Sequence, residues 1–206
     1  MAKLLYGFSM SLDGFLAGPG GDMSWLTPYL RPDPAVDELI PRIGSLLVGR
    51  RTFGGDDPHR GDPEREGKAF GGGWEGPQFV LTHRPAAPVP DVTFVGDLHE
   101  AVDAAKAAAG DKYVNVLGAD VARQCLEAGL LDEILAMPVP VLLGDGIRIF
   151  DHPGGKTVPL EQLAPNCSGW SARAACRRTG GRAVSAVRRR RPAPSRTAGR
   201  GFRGGR

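Results

Sequence analysis

The sequence predicts a three-layer α/β/α domain built on a mainly parallel sheet. Short apolar runs alternate with segments of helical periodicity along most of the chain, the pattern of strands and helices in an α/β domain. Several of the apolar runs end in a glycine or a polar cluster just before a helix start, which is how ligand-bearing strand ends look in parallel sheets. The length of 206 residues suits one domain of roughly 150 to 170 residues, large enough to bury a core, plus a tail.

The elements follow in order. "KLLYGFSMS" reads as a buried first strand, and "LDGFLAGPGGDMSWL" as the Gly- and Pro-rich loop behind it. Asp33 before Pro34 supplies an N-cap and an N1 proline. Val36, Leu39, Ile40 and Ile43 recur at helical spacing, so a helix is expected over 34–44, kinked at Pro41. "SLLVGRRTF" is a strand ending at Gly49 with a helical turn from Arg50. "DDPHRGDPEREGKAFGGGWEG" is too polar and glycine-rich for anything but a long loop. "QFVLTH" and "VTFVG" are further strands. Asp97 with Glu100 marks a helix start, and Leu98, Val102, Ala105 and Ala109 form its buried stripe up to Gly110. "KYVNVLG" is a strand, "ADVARQCLEAGL" a helix, and "DEILAMPVPVLLG" an extended apolar run.

Charge is unevenly placed. All 23 acidic residues lie at or before Glu161, whereas 12 of the 26 basic residues, all Arg, lie from Arg173 onward. The body to Asn166 is therefore net −9 and the tail +12, so the pI near 8.9 belongs to the tail. The cysteines Cys125, Cys167 and Cys176 form no CxxC pair and His59, His83, His99 and His152 are scattered. No metal site is expected. The amino terminus is too short in apolar residues for a secretory or membrane segment, so a cytoplasmic location with no membrane partner is expected.

Three strand ends suit phosphate. At "LLVGRRTF", Gly49 passes into a turn carrying Arg50, Arg51 and Thr52; at "VLTHRP", Thr82, His83 and Arg84 offer a hydroxyl and cations; at "VNVLGADVARQCL", Gly118 lets a pyrophosphate approach a helix N-terminus. Each alone has a bland reading as a glycine turn or a solvated charge. Together, in strand order, they are better evidence for a phosphate ligand than any one alone.

"SMSLDGFLA", "LLVGRRTF", "VLTHRP", "VLGADVARQCLEAGLLDEI" and "PVLLGDGIRIF" occur in this order and spacing in the dihydrofolate reductase-like proteins. Over residues 2–163 the chain resembles the branch that contains the C-terminal reductase domain of the bifunctional riboflavin-biosynthesis deaminase-reductase. The resemblance implies a bacterial-type NADPH-dependent reductase of a small heterocycle of pterin or pyrimidine type, such as a 5-amino-6-ribosylaminouracil-like riboflavin precursor. It places Gly49, Arg50, Arg51 and Thr52 on the cofactor phosphates, Thr82, His83 and Arg84 near the 2′-phosphate, and Gly118, Ala119, Asp120, Val121 and Ala122 at the pyrophosphate. Substrate would lie between the first loop and the nicotinamide end, with Ser11, Trp25, Phe53, Leu143 and Gly144 as candidate contacts. Asp13 is the candidate proton donor, with an Asx turn fixing Asp13 and Gly14 as the alternative. Trp25 and Phe53 have core packing as theirs.

Family members close with two further strands after the position of Leu163 and often form homodimers through sheet edges or those strands. Here the expected alternation is absent, and the closing hairpin is expected to be missing. Of the 40 residues from Cys167 to Arg206, 12 are Arg, 7 Gly, 7 Ala and 2 Pro, the composition of a GC-rich gene read out of frame. The domain is thus expected over 1–166, with 167–206 a disordered, frameshifted tail. An authentic basic arm binding nucleic acid non-specifically is the alternative, and with it a nucleic-acid-binding function; the acidic body would oppose such binding.

Overall fold

A computed structural model describes residues 1–178 except Pro85, His152, Gly169 and Trp170. Its centre is an eight-stranded sheet made of β1 (Lys3–Ser11), β3 (Ile43–Gly49), β4 (Gln78–Leu81), β5 (Val92–Val95), β6 (Tyr113–Leu117), β7 (Glu133–Val139), β9 (Leu160–Ser168) and β10 (Ser171–Arg178). The order is β5-β4-β3-β6-β1-β7-β10-β9. The first six are parallel, and β10 and β9 close the sheet antiparallel. A separate ribbon pairs β2 (Phe15–Ala17) with β8 (Ile147–Arg148).

Both faces of the central strands are buried, and alternation sorts their side chains into two cores. Leu4, Tyr6, Leu47, Val114 and Val116 face α3 (Leu98–Ala109) and α4 (Ala119–Glu127), meeting Ala101, Val102, Ala105, Val121 and Cys125. Leu5, Leu46, Val48 and Val80 face the other way, onto Leu39 of α1 (Pro34–Leu39) and Trp74. Leu4, Leu46 and Leu47 are wholly buried, each contributing about 1.5–3 kcal/mol relative to exposure. Burial also pushes the Cys125 thiol up to about 12, which makes it an inert core residue.

Local chemistry sets the element ends. Asp97 caps α3, accepting from the N–H groups of His99 (2.8 Å) and Glu100 (3.0 Å), as its spacing predicts. Gly44 lets α3 lie directly on β3, since a Cβ there would fall 2.6 Å from the Ala109 carbonyl oxygen. The helix expected over 34–44 is shorter. It becomes a 3₁₀ turn at Ile40–Arg42, and β3 begins at Ile43. Pro41, lacking an N–H, cannot continue the α ladder.

The closing hairpin is present, which corrects the expectation that it is missing. β10 pairs with β7, matching Ala174 to Ala136 and Arg177 to Glu133, and β9 pairs with β10 across a bulge at Ala175/Cys176. β9 therefore runs past Asn166 to Ser168, and Ser171–Arg178 is strand rather than disordered tail. Side-chain alternation is a poor guide here because the ladder is made by backbone groups, and the open edge of β7 accepts a strand of small and basic residues. Residues 179–206, on which the frameshift and basic-arm readings also rest, lie outside the described residues. Among the described residues no helix is long and apolar enough to cross a membrane, and no group of His, Cys, Asp or Glu gathers as a metal site.

Candidate functional site

The three strand ends singled out in the sequence are neighbours in space. β4, β3 and β6 are adjacent, and their register sets Leu81 beside Gly49 and Val48 beside Leu117. With strands about 4.8 Å apart, Thr82, Gly49 and Gly118 fall along a line of roughly 10 Å at the carboxyl edge of the sheet. Gly49 leads into the single turn α2 (Arg50–Phe53), and Gly118 into α4. Gly118 has φ +110°, and a Cβ there would lie 2.5 Å from Thr52 Oγ1, so the position excludes side chains for both conformation and space. No side chain caps α4, whose first N–H groups therefore point outward without an internal acceptor.

A cleft of about 2490 Å³ runs along this edge. An ordinary small-molecule pocket holds roughly 300–1,000 Å³, so there is room for a dinucleotide and a second ligand. Gly49, Arg50, Arg51, Thr52, Thr82, His83, Arg84, Gly118, Ala119, Asp120 and Val121 all line it. Arg50, Arg51 and Arg84 are exposed and make no ion pair with any described residue. The Asp120 carboxylate does not stand free at the helix N-terminus. Arg123 (2.8 Å) and Gln124 (2.9 Å) hold it, and Arg123 above all keeps its carboxyl below the ordinary range. Ala122, expected at the pyrophosphate, is not part of the cleft wall. It is fully buried, and its N–H is spent on the Gly118 carbonyl at 3.1 Å.

The opposite wall is made by two loops stitched together. The Asp56 carboxylate accepts from the Met23 N–H at 3.0 Å, and the Thr27 hydroxyl donates to the Pro58 carbonyl at 2.6 Å. Asp57 braces the long loop by accepting from His59 N–H (2.7 Å) and Gly67 N–H (2.6 Å). Phe53 lines the cleft but also meets Phe94 edge-on, ring centroids 5.7 Å apart. Trp25 is half-buried in the 3₁₀ segment Ser24–Tyr29, outside the cleft wall, although its neighbours Met23 and Leu26 are in it.

Ser11, Asp13, Leu143 and Gly144 come together, but as a latch. Asp13 accepts from the N–H groups of Leu143 (3.2 Å) and Gly144 (2.7 Å), tying the first loop to the segment after β7. Ser11, fully buried, accepts from the Phe15 N–H at 2.9 Å. The Ser11 hydroxyl, more than the two N–H groups, holds the Asp13 carboxyl down to about 2. These contacts are the ones that a turn-fixing Asp makes, the alternative reading of this position. Gly14 completes the turn at φ +90° with its N–H on the Ser11 carbonyl.

Sequence reasoning passed over Asn115 in "KYVNVLG". It is fully buried on β6, belongs to the cleft wall, and neither polar atom of its amide has a partner. Leaving such atoms unpaired costs about 1–3 kcal/mol each. The signal was a lone carboxamide inside an otherwise apolar strand. Tyr6, on the other face, likewise has a buried, unpartnered hydroxyl, and burial raises its pKa.

Comparison with known proteins agrees with this architecture. The family model described as "RibD C-terminal domain" matches residues 2–170. The chain is 25% identical over 152 residues to the uncharacterized protein YyaP of Bacillus subtilis (strain 168), covering 72% of this chain and 80% of that one. A putative riboflavin biosynthesis protein from Shewanella sp. PV-4 superposes with a TM-score of 0.65 at 23% identity, covering 87% of this chain and all of the other. Dihydrofolate reductase from Enterococcus faecalis, in complex with NADP(H), superposes at 0.54 with 18% identity over 86% of this chain and 97% of its own. The adjacent polar strand ends, the cleft they border and the match along nearly the whole described chain lead to one assignment: the protein belongs to the RibD C-terminal domain family, on a dihydrofolate reductase-like fold.

Proposed function

We propose that the protein is an NADPH-dependent reductase of a small planar heterocycle of pterin or pyrimidine type, such as a 5-amino-6-ribosylaminouracil-like precursor of riboflavin. The observation that carries this reading is the convergence of Gly49–Thr52, Thr82–Arg84 and Gly118–Val121 on one cleft, with three exposed arginines among them. The residues fit the group. The cradle at Gly118, which a Cβ would fill, leaves backbone room for a pyrophosphate against the uncapped start of α4. Arg50 and Arg51 stand beside it, and Thr82, His83 and Arg84 lie two strands away for the 2′-phosphate. When bound, the cofactor supplies the hydride. The chain's part is to hold the phosphates and, through the stitched loops at Met23 and Asp56, to wall the substrate space from water. Family members often dimerise through sheet edges or the late strands, here β9 and β10, and a homodimer belongs to the proposal.

The test is a pair of dissociation constants on the full-length chain. A charge-assisted contact to the 2′-phosphate is worth roughly 1.5–3 kcal/mol, so NADPH should bind at least about tenfold more tightly than NADH, and Arg84→Ala should erase most of that difference. Equal affinities in the wild type would remove the phosphate assignment.

A further inference from the structure

Asn115 has a position that packing alone does not explain. Its strand neighbours on the same face are apolar, with Leu46 opposite it on β3 and Leu5 opposite it on β1. A leucine would fill such a site without leaving polar atoms unpaired, yet here a carboxamide is buried with neither Oδ1 nor Nδ2 satisfied. Native proteins seldom tolerate that unless a ligand or an ordered water completes the pairing. Beside it on β1 stands Gly7, where a methyl group would come 3.1 Å from Asn115 Oδ1 and 3.7 Å from Leu39 Cδ2. A side chain at Gly7 would therefore press on the Asn115 amide, and glycine keeps that contact from forming. Gly7, Leu39 and Asn115 all belong to the cleft wall.

We infer that Asn115 is a specificity-determining residue that reads the lactam edge, an adjacent N–H and C=O, of a planar ring bound in the cleft. The inference rests on the reductase reading of the cleft. A carboxamide offers an acceptor oxygen and an N–H donor in one plane, which answers a cyclic amide with two parallel hydrogen bonds. A ring alkylated on nitrogen can bring no donor, and its entry would seal the Asn115 acceptor away unpaired. Sites built in this way discriminate strongly, because the wrong ligand forfeits the bond and also traps the site's own polar group.

Uracil and 1,3-dimethyluracil serve as probes on the full-length wild type, Asn115→Leu and Gly7→Ala, with NADPH titrated separately and each melting temperature recorded. The wild type should prefer uracil by roughly tenfold or more. Asn115→Leu should bring the ratio to about one while melting no lower than wild type and keeping its NADPH affinity. Gly7→Ala should weaken uracil binding by pressing a methyl group against the Asn115 amide, again without moving NADPH. Absence of uracil binding, equal binding of the two probes, a preference retained in Asn115→Leu, or a drop in that variant's melting temperature each overturns the inference. Failure of NADPH to bind the wild type would instead count against the reductase reading, and the uracil ratios would still decide the role of Asn115.

Discussion

At the amino ends of the parallel strands Glu133 accepts from Lys3 at 2.7 Å and from the Tyr113 hydroxyl at 2.9 Å, while Arg42 lies 5.1 Å over the Tyr113 ring. Arg177 on β10, opposite Glu133, pairs with Glu161 on β9 at 2.8 Å. Lys3 with Glu133 and Arg177 with Glu161 are ion pairs between neighbouring strands, and Arg42 rests on an aromatic ring. At the carboxyl ends of the same strands, Arg50, Arg51 and Arg84 have no ionic partner among the described residues, the start of α4 lacks a side-chain cap, and the amide of Asn115 is unpaired. One sheet thus has an end whose polar groups are satisfied internally and an end whose groups await something else. The first adds to stability; the second sacrifices some of it, as binding sites do.

The comparison can be broken first at Gly118. Gly118→Val forces a side chain onto φ +110° and against Thr52 Oγ1, so NADPH binding should be lost and stability should fall by about 1–3 kcal/mol. Calorimetric titration and urea unfolding read the two effects, and a variant that bound normally would show the cradle to be elsewhere. At the other end, Glu133→Gln weakens the Lys3 pair while keeping the shape of the side chain. Lys3 is half exposed, which limits the pair's worth, and a cost of about 1–2 kcal/mol is expected with NADPH affinity unchanged. A change in affinity would mean that the two ends are coupled. Asp13→Asn sharpens the contrast least in size but most in assignment. Since the folded carboxyl is held to about 2, its contribution is present above about pH 4 and lost as pH falls through 2. The variant should melt below wild type at pH 7, and the gap should close toward pH 2. Lower turnover at unchanged melting temperature would return Asp13 to the chemistry.

Much of the fold was legible because the central strands are buried on both faces, so "KLLYGF", "SLLVG" and "YVNVL" stand out as apolar runs. The glycines at the cleft-side strand ends were legible for a related reason. A strand must end before a ligand can meet its backbone, and glycine marks the ending at Gly49 and Gly118. Other features were not legible in this way. β10 is held by backbone pairing to β7, and its Ala- and Arg-rich sequence gives little pattern to read. Asp13 looks the same in one dimension as a proton donor or as a latch. The difference lies in Leu143 and Gly144, some 130 residues away, whose N–H groups it accepts. Asn115 reads as strand because it is strand, and only its lack of partners sets it apart.

The central place of β1 has a consequence for how the molecule is made. Its partners on either side begin with Tyr113 and Glu133, so this strand leaves the ribosome long before either and is among the last to be enclosed. At roughly 5–20 residues per second, synthesis from Lys3 to its first partner takes about 5–20 s. For that interval the nascent chain carries "LLYGF" with both edges open and no sheet to enter. β3, β4 and β5 can already pair with one another during this time, but they cannot receive β1 until β6 emerges to lie between. Folding in the cell is therefore expected to be a late, concerted closure, in which a chaperone holding the amino terminus would have the most to protect.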